Sequence, residues 1–406
     1  MGIENEEATG KTMKAVVWLG SKKVACVTKP RPTLTHATDA IVRITYCTVC
    51  SGSDSHLYSG EIPTLESGAI LGHEACGVVD EVGSEVETLK VGDRVVIAFS
   101  VACGKCAYCQ RGEFTGCDTT NDSKMFSDMY GGRPASAIFG YSQLVGDLPG
   151  SQAEFVRVPF ADTNCLHIPE GVPDEKALFI SDVLATSLHA TELGEVKEGD
   201  TVVIWGLGPI GLFAAVWARL KKAKSVVGVD LVPERLKLAQ EQIGIQVLDR
   251  SGLSSAQVVS ELQSMLSPNG ADVAIDATGF RFSQTWSDTL QRLTGLETDT
   301  PEVLRECFMV VRKYGHVSII ADYIGTANRF PIGHIMMKHL TVRSGQCPVQ
   351  RYWKFIMQQI EDGAIDPSIM VTHRLNGLED LPGAYEKLFN KTEGCVKVLV
   401  PVSKAK

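Results

Sequence analysis

Residues 201–230 read TVVIWGLGPIGLFAAVWARLKKAKSVVGVD, and this stretch decides the fold of the middle of the chain. The continuous apolar runs at 201–205 and 225–230 predict two buried strands, and 210–220 has the composition of a helix. The glycine-rich turn 206–211 separates the first strand from the helix. A strand, a glycine turn, a helix and a second strand predict one βαβ unit of a parallel sheet.

The same alternation of apolar segments continues on the C-terminal side of this unit. Further segments of suitable length and composition lie at 234–242, 245–248, 256–266, 273–277, 303–311, 316–320 and 340–344. Alternating strands and helices with fully apolar strands predict a Rossmann-type, doubly wound parallel sheet, and therefore an α/β fold, over residues 192–346.

The sequence before residue 192 has a different pattern of apolar segments. Short runs rich in Val and Ile at 14–18, 40–46, 77–81 and 95–99 are separated by Gly, Pro, Asp and Ser. This pattern predicts a small, barrel-like β domain over residues 1–191. The tail 347–406 contains a predicted helix at 352–360 and a predicted strand at 395–400, and we expect it to complete the first domain.

Bulk properties narrow the class of protein. The chain has 406 residues and a net charge of −9, which argues against a general nucleic-acid surface. No apolar run reaches the roughly 18–20 residues that span a bilayer, and the polar N-terminus lacks the pattern of a signal peptide. We therefore expect a cytoplasmic protein that binds neither membrane nor nucleic acid, whose twelve cysteines are thiols or metal ligands.

The turn after the first strand predicts a dinucleotide site. Gly206, Gly208 and Gly211 form G-x-G-x-x-G, with Pro209 and Ile210 between the last two glycines. The glycines allow a tight turn, close approach of a pyrophosphate and close packing of the helix, whose N-terminus stabilises the phosphate charge.

An acidic residue follows the glycine turn at the spacing typical of this motif. Asp230 lies 19 residues past Gly211, where its carboxylate can accept hydrogen bonds from the adenosine ribose and would repel a 2′-phosphate. The sequence therefore predicts NAD rather than NADP, and we also assign Arg235 to this site. A glycine turn without a ligand, or a preference for NADP, are the alternatives.

The most specific short motif in the sequence consists of four cysteines. Cys103, Cys106, Cys109 and Cys117 follow the spacing C-x2-C-x2-C-x7-C. Four thiolates within fifteen residues can surround one tetrahedral, structural zinc ion. An iron–sulfur cluster and plain free thiols remain the alternatives.

Several motifs together give the chain a resemblance to the zinc-dependent medium-chain alcohol dehydrogenase family, closest to its glutathione-independent formaldehyde dehydrogenase-like branch. The resemblance covers nearly everything from Met13 to Val400. Its carriers are the segment around Cys50, Gly72-His73-Glu74, Gly92-Asp93-Arg94-Val95, Val101-Ala102-Cys103-Gly104-Lys105-Cys106, Ser181-Asp182, the glycine loop and Ser344-Gly345-Gln346-Cys347-Pro348-Val349.

The resemblance implies a GroES-like barrel as the catalytic domain and a second, catalytic zinc ion. Cys50, His73 and Asp182 would be its ligands, with substrate or water in the fourth position, and Glu74 would be a nearby carboxylate and an occasional ligand. Outside that context, His73 is more often an ordinary hydrogen-bonded histidine and Asp182 a helix N-cap.

Ser53 and His56 match the family's proton relay from the alcohol to solvent. Relatives usually have five steps from the cysteine ligand to the relay histidine, whereas Cys50 and His56 are six apart. Ser51 or Gly52 is therefore an extra residue relative to the family pattern, and turn-capping roles are the alternative for Ser53 and His56.

The expected function is hydride transfer between NAD and an alcohol or aldehyde, in a homodimer or homotetramer. A polyol- or threonine-type dehydrogenase of the same family is the first alternative, and a non-catalytic nucleotide-binding relative is the second. Residues 118–150 predict an unusually long loop, which we interpret as a lid over pocket and cofactor, or else a surface or oligomer-contact loop.

Overall fold

The computed structural model describes residues 10–266, 268–279 and 298–403. The chain divides into two compact units. The first contains Met1–Ala185 and Cys347–Lys406, and the second contains Thr186–Gln346. Among the described residues, no helix combines the length and apolarity needed to cross a bilayer.

The first unit is rich in strands that come from both ends of the chain. Its strands are β1 (Thr12–Gly20), β2 (Lys23–Pro30), β3 (Ala40–Cys47), β4 (Ala75–Val82), β5 (Arg94–Ile97), β6 (Ser100–Val101), β7 (Ala137–Ile138), β8 (Phe155–Val158), β9 (Cys165–His167), β16 (Val371–Arg374) and β17 (Lys397–Pro401). Within the described ranges, seven of them form one mixed sheet in the order β16-β17-β3-β4-β5-β9, with β8 paired to β3 as well. The C-terminal strand therefore pairs antiparallel with β3, near the start of the chain.

The second unit is built on a parallel sheet. Its strands are β10 (Thr201–Trp205), β11 (Ser225–Asp230), β12 (Gln246–Asp249), β13 (Ala271–Asp276), β14 (Val311–Ile319) and β15 (Thr341–Ser344). Over the residues that the structure describes, their order is β12-β11-β10-β13-β14-β15, and every pair is parallel. The chain starts at the centre, winds to one edge and then to the other, which confirms the doubly wound sheet.

Helices connect the strands in both units. Those described are α1 (Ser53–Ser59), α2 (Ala107–Gln110), α3 (Lys124–Met129), α4 (Ala161–Asn164), α5 (Asp174–Ala177), α6 (Val183–Leu193), α7 (Pro209–Leu220), α8 (Pro233–Leu238), α9 (Ser255–Met265), α10 (Glu302–Val310), α11 (Ile332–Lys338), α12 (Val349–Glu361) and α13 (Leu381–Asn390). The helix predicted at 234–242 is divided, because α8 is followed by a π-helical turn, Ala239–Ile243.

A buried polar network fixes the end of β10. Trp205 donates from Nε1 to Glu306 at 2.8 Å, and Arg250 bonds both Glu306 and Glu302. All these side chains are buried, so each needs the others as hydrogen-bond partners. The network holds the strand that leads into the glycine turn.

The segment 118–150, which the sequence predicts as an unusually long loop, contains short elements of secondary structure. It contains α3, the strand β7 paired with β6, and a 3₁₀ turn, Gln143–Val145. Ser123 caps α3 by accepting from the Phe126 N–H, and Phe139 is buried. Local capping and burial of aromatic side chains therefore order this segment.

Candidate metal centres and cofactor loop

The four cysteines of the loop 103–117 converge on one point. Their sulfur atoms all lie within 4.8 Å of one another. Cys106 Sγ is 3.5 Å and Cys103 Sγ 3.9 Å from Cys109 Sγ. Four sulfur ligands around a zinc ion at about 2.3 Å would be about 3.8 Å apart, so the arrangement fits zinc. It leaves no room for the core of an iron–sulfur cluster.

The backbone around this cysteine cluster favours a thiolate at Cys103. The N–H groups of Lys105 and Cys106 point at Cys103 Sγ, at 3.5 and 3.3 Å, and the Cys103 N–H points at Cys117 Sγ. Burial works against ionisation, but hydrogen bonds from Thr119, Lys105 and Cys106 lower the pKa of Cys103 to about 6. A thiolate is the form that binds a metal.

A second cluster combines different ligand types. One ligand atom each from Cys50, His73, Glu74 and Asp182 lies within 4.8 Å of the others, and all four residues are buried. His73 Nε2 is 3.6 Å from Asp182 Oδ2. Nitrogen and oxygen ligands on a tetrahedral zinc would be about 3.4 Å apart, so these residues fit zinc as well.

The sheet register brings the distant segments of the second cluster together. Cys47 at the end of β3 pairs with Ala75 at the start of β4, so Cys50 and His73-Glu74 lie at the same edge. Beyond the end of β5, the Phe99 N–H donates to the Ser181 carbonyl at 3.3 Å. That bond brings Asp182, which directly precedes α6, to the same place.

The electrostatics of the second cluster favour positive charge. Burial disfavours a charged imidazole, yet the charge of Asp54 and hydrogen bonds with Asp182, Asp54 and Cys50 raise the pKa of His73 well above its usual value. Negative groups therefore outweigh the cost of burial at this position. Such surroundings suit a bound cation.

A lysine from the C-terminal strand lies beside this cluster. Lys397 is fully buried, and its Nζ donates to Glu74 Oε1 at 2.5 Å and to the Val49 carbonyl at 3.0 Å. Burial lowers the pKa of Lys397, but the charges of Glu74 and Cys50 raise it overall. Glu74 Oε2 is buried without a hydrogen bond in the described part of the chain. The lysine holds one oxygen of Glu74 and leaves the other available.

An aspartate supports the histidine of the second cluster from behind. Asp54 Oδ1 lies 3.4 Å from His73 Nδ1, and Asp54 Oδ2 accepts from the Cys50 N–H at 3.0 Å. Metal-binding histidines commonly face a carboxylate through the second ring nitrogen, which fixes the ring and strengthens the ligand. Asp54 therefore orients two of the neighbouring ligand segments.

The predicted relay residues lie on α1. Ser53 is the first residue of this helix and His56 follows one turn later, so both lie on one face. The extra residue falls in the turn before the helix, where Gly52 is the N-cap. His56 Nδ1 is 2.6 Å from Glu61 Oε2, a carboxylate partner that the sequence did not suggest.

The glycine loop follows β10 and opens α7. Gly206 has φ +85°, and a Cβ there would lie 2.7 Å from the Ala277 carbonyl oxygen. A Cβ on Gly211 would lie 1.8 Å from the Gly206 carbonyl oxygen. Gly208 is the N-cap of α7 and Pro209 its first residue, with Ile210 next, so the loop forms a helix N-terminus suited to a phosphate.

Asp230 ends β11 beside this loop. Its Oδ2 accepts from the Leu207 N–H at 2.6 Å, and its Oδ1 accepts from Leu231 and Val232. Arg235 on α8 approaches to 3.7 Å from Asp230 Oδ2. The structure therefore brings Asp230, Arg235 and the glycine loop together at the carboxyl end of the parallel strands.

Comparison with known proteins identifies the family. Residues 36–170 match the alcohol dehydrogenase GroES-like domain, and residues 209–294 match the zinc-binding dehydrogenase domain. The chain belongs to the zinc-binding alcohol dehydrogenase family, whose members are oxidoreductases that act on CH–OH groups. The resemblance drawn from the sequence motifs and the predicted fold class are both confirmed.

Individual relatives cover nearly the whole chain. A zinc-type alcohol dehydrogenase-like protein of Schizosaccharomyces pombe is 56% identical, over 97% of this chain and 92% of that protein. A glutathione-independent formaldehyde dehydrogenase of Pseudomonas aeruginosa is 32% identical, over 92% and 94%. The structure of alcohol dehydrogenase TADH from Thermus sp. ATN1 matches with a TM-score of 0.80 and 31% identity, over 96% and 100%.

Sequence reasoning missed the residues that surround the second cluster. Asp54, Glu61 and Lys397 have no motif of their own in a single sequence. Lys397 gave one signal, since it stands within the apolar run 395–400, where a charged residue is unexpected. A lysine inside a predicted buried strand indicates a buried anion nearby.

Proposed function

We propose that the protein is an NAD-dependent alcohol or aldehyde dehydrogenase with two zinc ions. Cys50, His73 and Asp182 would hold the catalytic ion, and the cysteines of 103–117 the structural one. The observation that carries this proposal is the buried cluster of thiol, imidazole and carboxylate ligands. Mixed ligands with one open position are typical of catalytic zinc, whereas four thiolates are typical of structural zinc.

The chain's own residues prepare the site for chemistry. When bound, zinc supplies Lewis acidity toward the substrate oxygen, and NAD accepts or donates the hydride. Lys397 holds Glu74 Oε1 in an ion pair, so that Cys50, His73 and Asp182 would be the ligands and the fourth position would be open to substrate, with Glu74 Oε2 available as an occasional ligand. Burial of the whole cluster excludes water and strengthens these interactions.

Ser53 and His56 would move the alcohol proton. In alcohol oxidation, Ser53 Oγ accepts the proton from the substrate hydroxyl and passes its own to the imidazole of His56. Glu61, hydrogen-bonded to His56 Nδ1, would stabilise the imidazolium that forms. The hydride leaves from carbon and the proton leaves through this relay, which balances the conversion of alcohol to aldehyde.

The second unit would bind the dinucleotide. The N–H groups of the glycine loop Gly206–Gly211 would hold the pyrophosphate, and Asp230 the adenosine ribose. Arg235, held near Asp230, would lie at the same end of the cofactor. We propose residues 192–346 as the NAD domain and residues 1–191 with 347–406 as the catalytic domain.

A small aldehyde or alcohol is the proposed substrate. The glutathione-independent formaldehyde dehydrogenase relative makes formaldehyde the first compound to test. The ordered segment 118–150 contributes Phe139 and Tyr141 to the interior rather than to an open surface. We propose that residues 118–150, whose exposed part includes Tyr130, form a lid over the bound substrate and cofactor.

Zinc analysis and a substrate panel test the proposal. Purified protein should contain two zinc ions per chain and oxidise or reduce members of an alcohol and aldehyde panel with NAD(H) in preference to NADP(H). The Cys50→Ala variant should retain one zinc ion and lose turnover. Cys26→Ala, a partly exposed cysteine outside both clusters, is the matched control. One zinc ion per wild-type chain would refute the catalytic site.

We also propose that the chain forms a homodimer or homotetramer. Helix α11 exposes Ile332, Met336 and Met337, each more than 70% accessible. It precedes β15, which ends the order of the parallel sheet among the described residues. An exposed apolar helix face fits a second copy of the chain. Light scattering of Met336→Glu should show a smaller species than wild type; unchanged mass would contradict this interface.

A cytoplasmic location remains a proposal, supported by the thiol chemistry. No disulfide joins Cys26, Cys47, Cys76, Cys165 or Cys307, which lie outside the two clusters, and all of them except Cys26 are buried. Free thiols are typical of reducing compartments. Fractionation of cells that express a tagged chain tests this proposal, and recovery in an oxidising compartment would contradict it.

A further inference from the structure

Gln152 lies next to the second cluster, and both ends of its side-chain amide are hydrogen-bonded. The Gln152 side chain is fully buried, and its Nε2 donates to the Thr48 carbonyl at 3.1 Å and to Asp54 Oδ2 at 3.2 Å. Tyr385 on α13 donates its hydroxyl to Gln152 Oε1 at 2.9 Å. Because the Thr48 carbonyl and the Asp54 carboxylate can only accept, the amide nitrogen must face them, and Oε1 faces the Tyr385 hydroxyl.

The backbone of Gln152 is fixed as firmly as its side chain. Its N–H donates to the Leu71 carbonyl at 2.9 Å, and its carbonyl accepts from the Val16 N–H at 2.8 Å. Gly72, directly before His73, has φ +93°, and a Cβ there would lie 2.4 Å from Gln152 Cγ. The glutamine therefore packs against the turn that presents His73.

Asp54 depends on this glutamine for its position. Its Oδ2 accepts from only two groups in the described residues, the Cys50 N–H and Gln152 Nε2. Its Oδ1 faces His73 Nδ1 at 3.4 Å. A buried carboxylate with few donors moves or loses its geometry when one donor is removed.

We propose that Gln152 is a positioning residue for the catalytic metal site, acting through Asp54 on His73, and that Tyr385 fixes the orientation of its amide. The proposal rests on the function proposed above for Cys50, His73 and Asp182. It places part of the support of this site on α13, in the C-terminal segment. Loss of such outer support typically weakens metal binding about 10- to 100-fold.

Zinc retention tests the proposal without relying on activity. Wild type, Gln152→Leu and Tyr385→Phe are equilibrated with a zinc chelator at increasing concentration, and the zinc remaining per chain is measured. We expect Gln152→Leu to lose one of the two zinc ions at about 10- to 100-fold lower chelator concentration. Tyr385→Phe keeps both amide donors and should lose zinc at a concentration between those of Gln152→Leu and wild type.

Gln350→Leu is the matched control. Gln350 is also buried in the first unit, and its Nε2 also donates twice, to the Ser100 carbonyl and to Asn164 Oδ1. A loss of general stability would affect both glutamine variants alike, whereas a positioning role affects zinc retention at the second cluster only in Gln152→Leu. Visible spectra of the Co²⁺-substituted proteins give a second readout, and the bands should change in Gln152→Leu but not in Gln350→Leu.

The outcomes separate the two proposals. If wild type binds two zinc ions and Gln152→Leu holds both as tightly as Gln350→Leu, with the same Co²⁺ spectrum, the positioning role is wrong. If wild type binds only the zinc of the cysteine loop, the proposed function itself fails. Should Gln152→Leu not fold, Gln152→Met, which keeps the length of the side chain but not its donors, carries the test, and zinc retention equal to wild type in that variant would refute the role of Gln152.

Discussion

The two metal clusters of this chain differ in how their ligands come together. The cysteine cluster lies within residues 103–117, and its sulfur atoms receive backbone N–H groups from the same loop. The second cluster collects ligands from residues 50, 73–74 and 182, and one of them, Glu74, pairs with Lys397 on β17. A local cluster, such as the four cysteines, forms within one loop. An assembled cluster, such as the second one, needs the register of the sheet to bring its ligands together and an ion pair between its buried charges.

The largest expected effect breaks the assembled cluster at its third ligand. Asp182→Ala should lower kcat/KM about 1,000-fold, because a Lewis acid contributes several kcal/mol to transition-state stabilisation. The zinc content should fall from two ions to one, since the cysteine loop does not depend on Asp182. Steady-state kinetics and zinc analysis measure both. Asp366→Ala, which removes a half-exposed cap elsewhere in the first unit, is the control. Full activity in Asp182→Ala would show that this aspartate is no ligand.

Replacing the buried Lys397 should have a somewhat smaller effect, which is a loss of stability. Lys397→Met leaves Glu74 buried without its partner and should lower the free energy of unfolding of the zinc-free protein by about 3 kcal/mol. The double variant Lys397→Met/Glu74→Gln should recover part of this loss, because no buried charge stays unpaired. Urea unfolding measures these values.

A surface ion pair provides the control for Lys397. Lys387 and Glu393 form a similar contact at 2.6 Å on the exposed surface. Lys387→Met should leave stability unchanged, because solvent screens such pairs. Equal losses in Lys387→Met and Lys397→Met would mean that burial does not distinguish the two lysines.

The local cluster offers the next test. Cys109→Ala should remove one zinc ion and lower the free energy of unfolding by about 2 kcal/mol, since a closed fifteen-residue loop loses its cross-link. At temperatures where this variant stays folded, kcat should remain near that of wild type. Cys165→Ala, a buried cysteine outside the clusters, controls for the loss of packing. A large fall in kcat at low temperature would contradict the separation of structural and catalytic roles.

The glycine loop with Asp230 is the other site that lies within a short stretch of sequence, and we expect its substitution to have the smallest effect. Asp230→Ser should reduce the preference for NAD over NADP about tenfold, because hydrogen bonds to a charged group contribute about 1.5 kcal/mol. The ratio of kcat/KM for the two cofactors measures it and is insensitive to a general loss of stability. Asp249→Ser changes the paired residue at the end of the neighbouring strand β12 and should leave the ratio unchanged. The same ratio in Asp230→Ser as in wild type would remove this residue from the cofactor site.

The local patterns were the ones that sequence could predict. The cysteine spacing and the glycine turn each occupy a short stretch, so their geometry follows from neighbouring residues. The strands 201–205 and 225–230 coincide with the observed β10 and β11, because continuous apolar runs between clear turns have well-defined limits. Asp182 came only from the family resemblance, since nothing local links it to Cys50.

The supporting residues could not be predicted, for physical reasons. Gln152 and Asp54 meet because of strand register and a close approach to Gly72, which no short window of sequence contains. A lysine is expected at the surface, and only the contact with Glu74 explains why Lys397 is buried. The segment 118–150 was predicted as a loop because its helix is short and its strand contains two residues.

The pairing of Lys397 with Glu74 also sets the order in which the second cluster is completed during translation. Lys397 is translated 280 residues after Cys117, the last residue of the cysteine loop. At about 5–20 residues per second, the interval is on the order of 15–60 s. A growing chain therefore carries the thiol, imidazole and carboxylates of the second cluster before the lysine that pairs with Glu74 has been made, and the ion pair at that cluster forms only after Lys397 has been added.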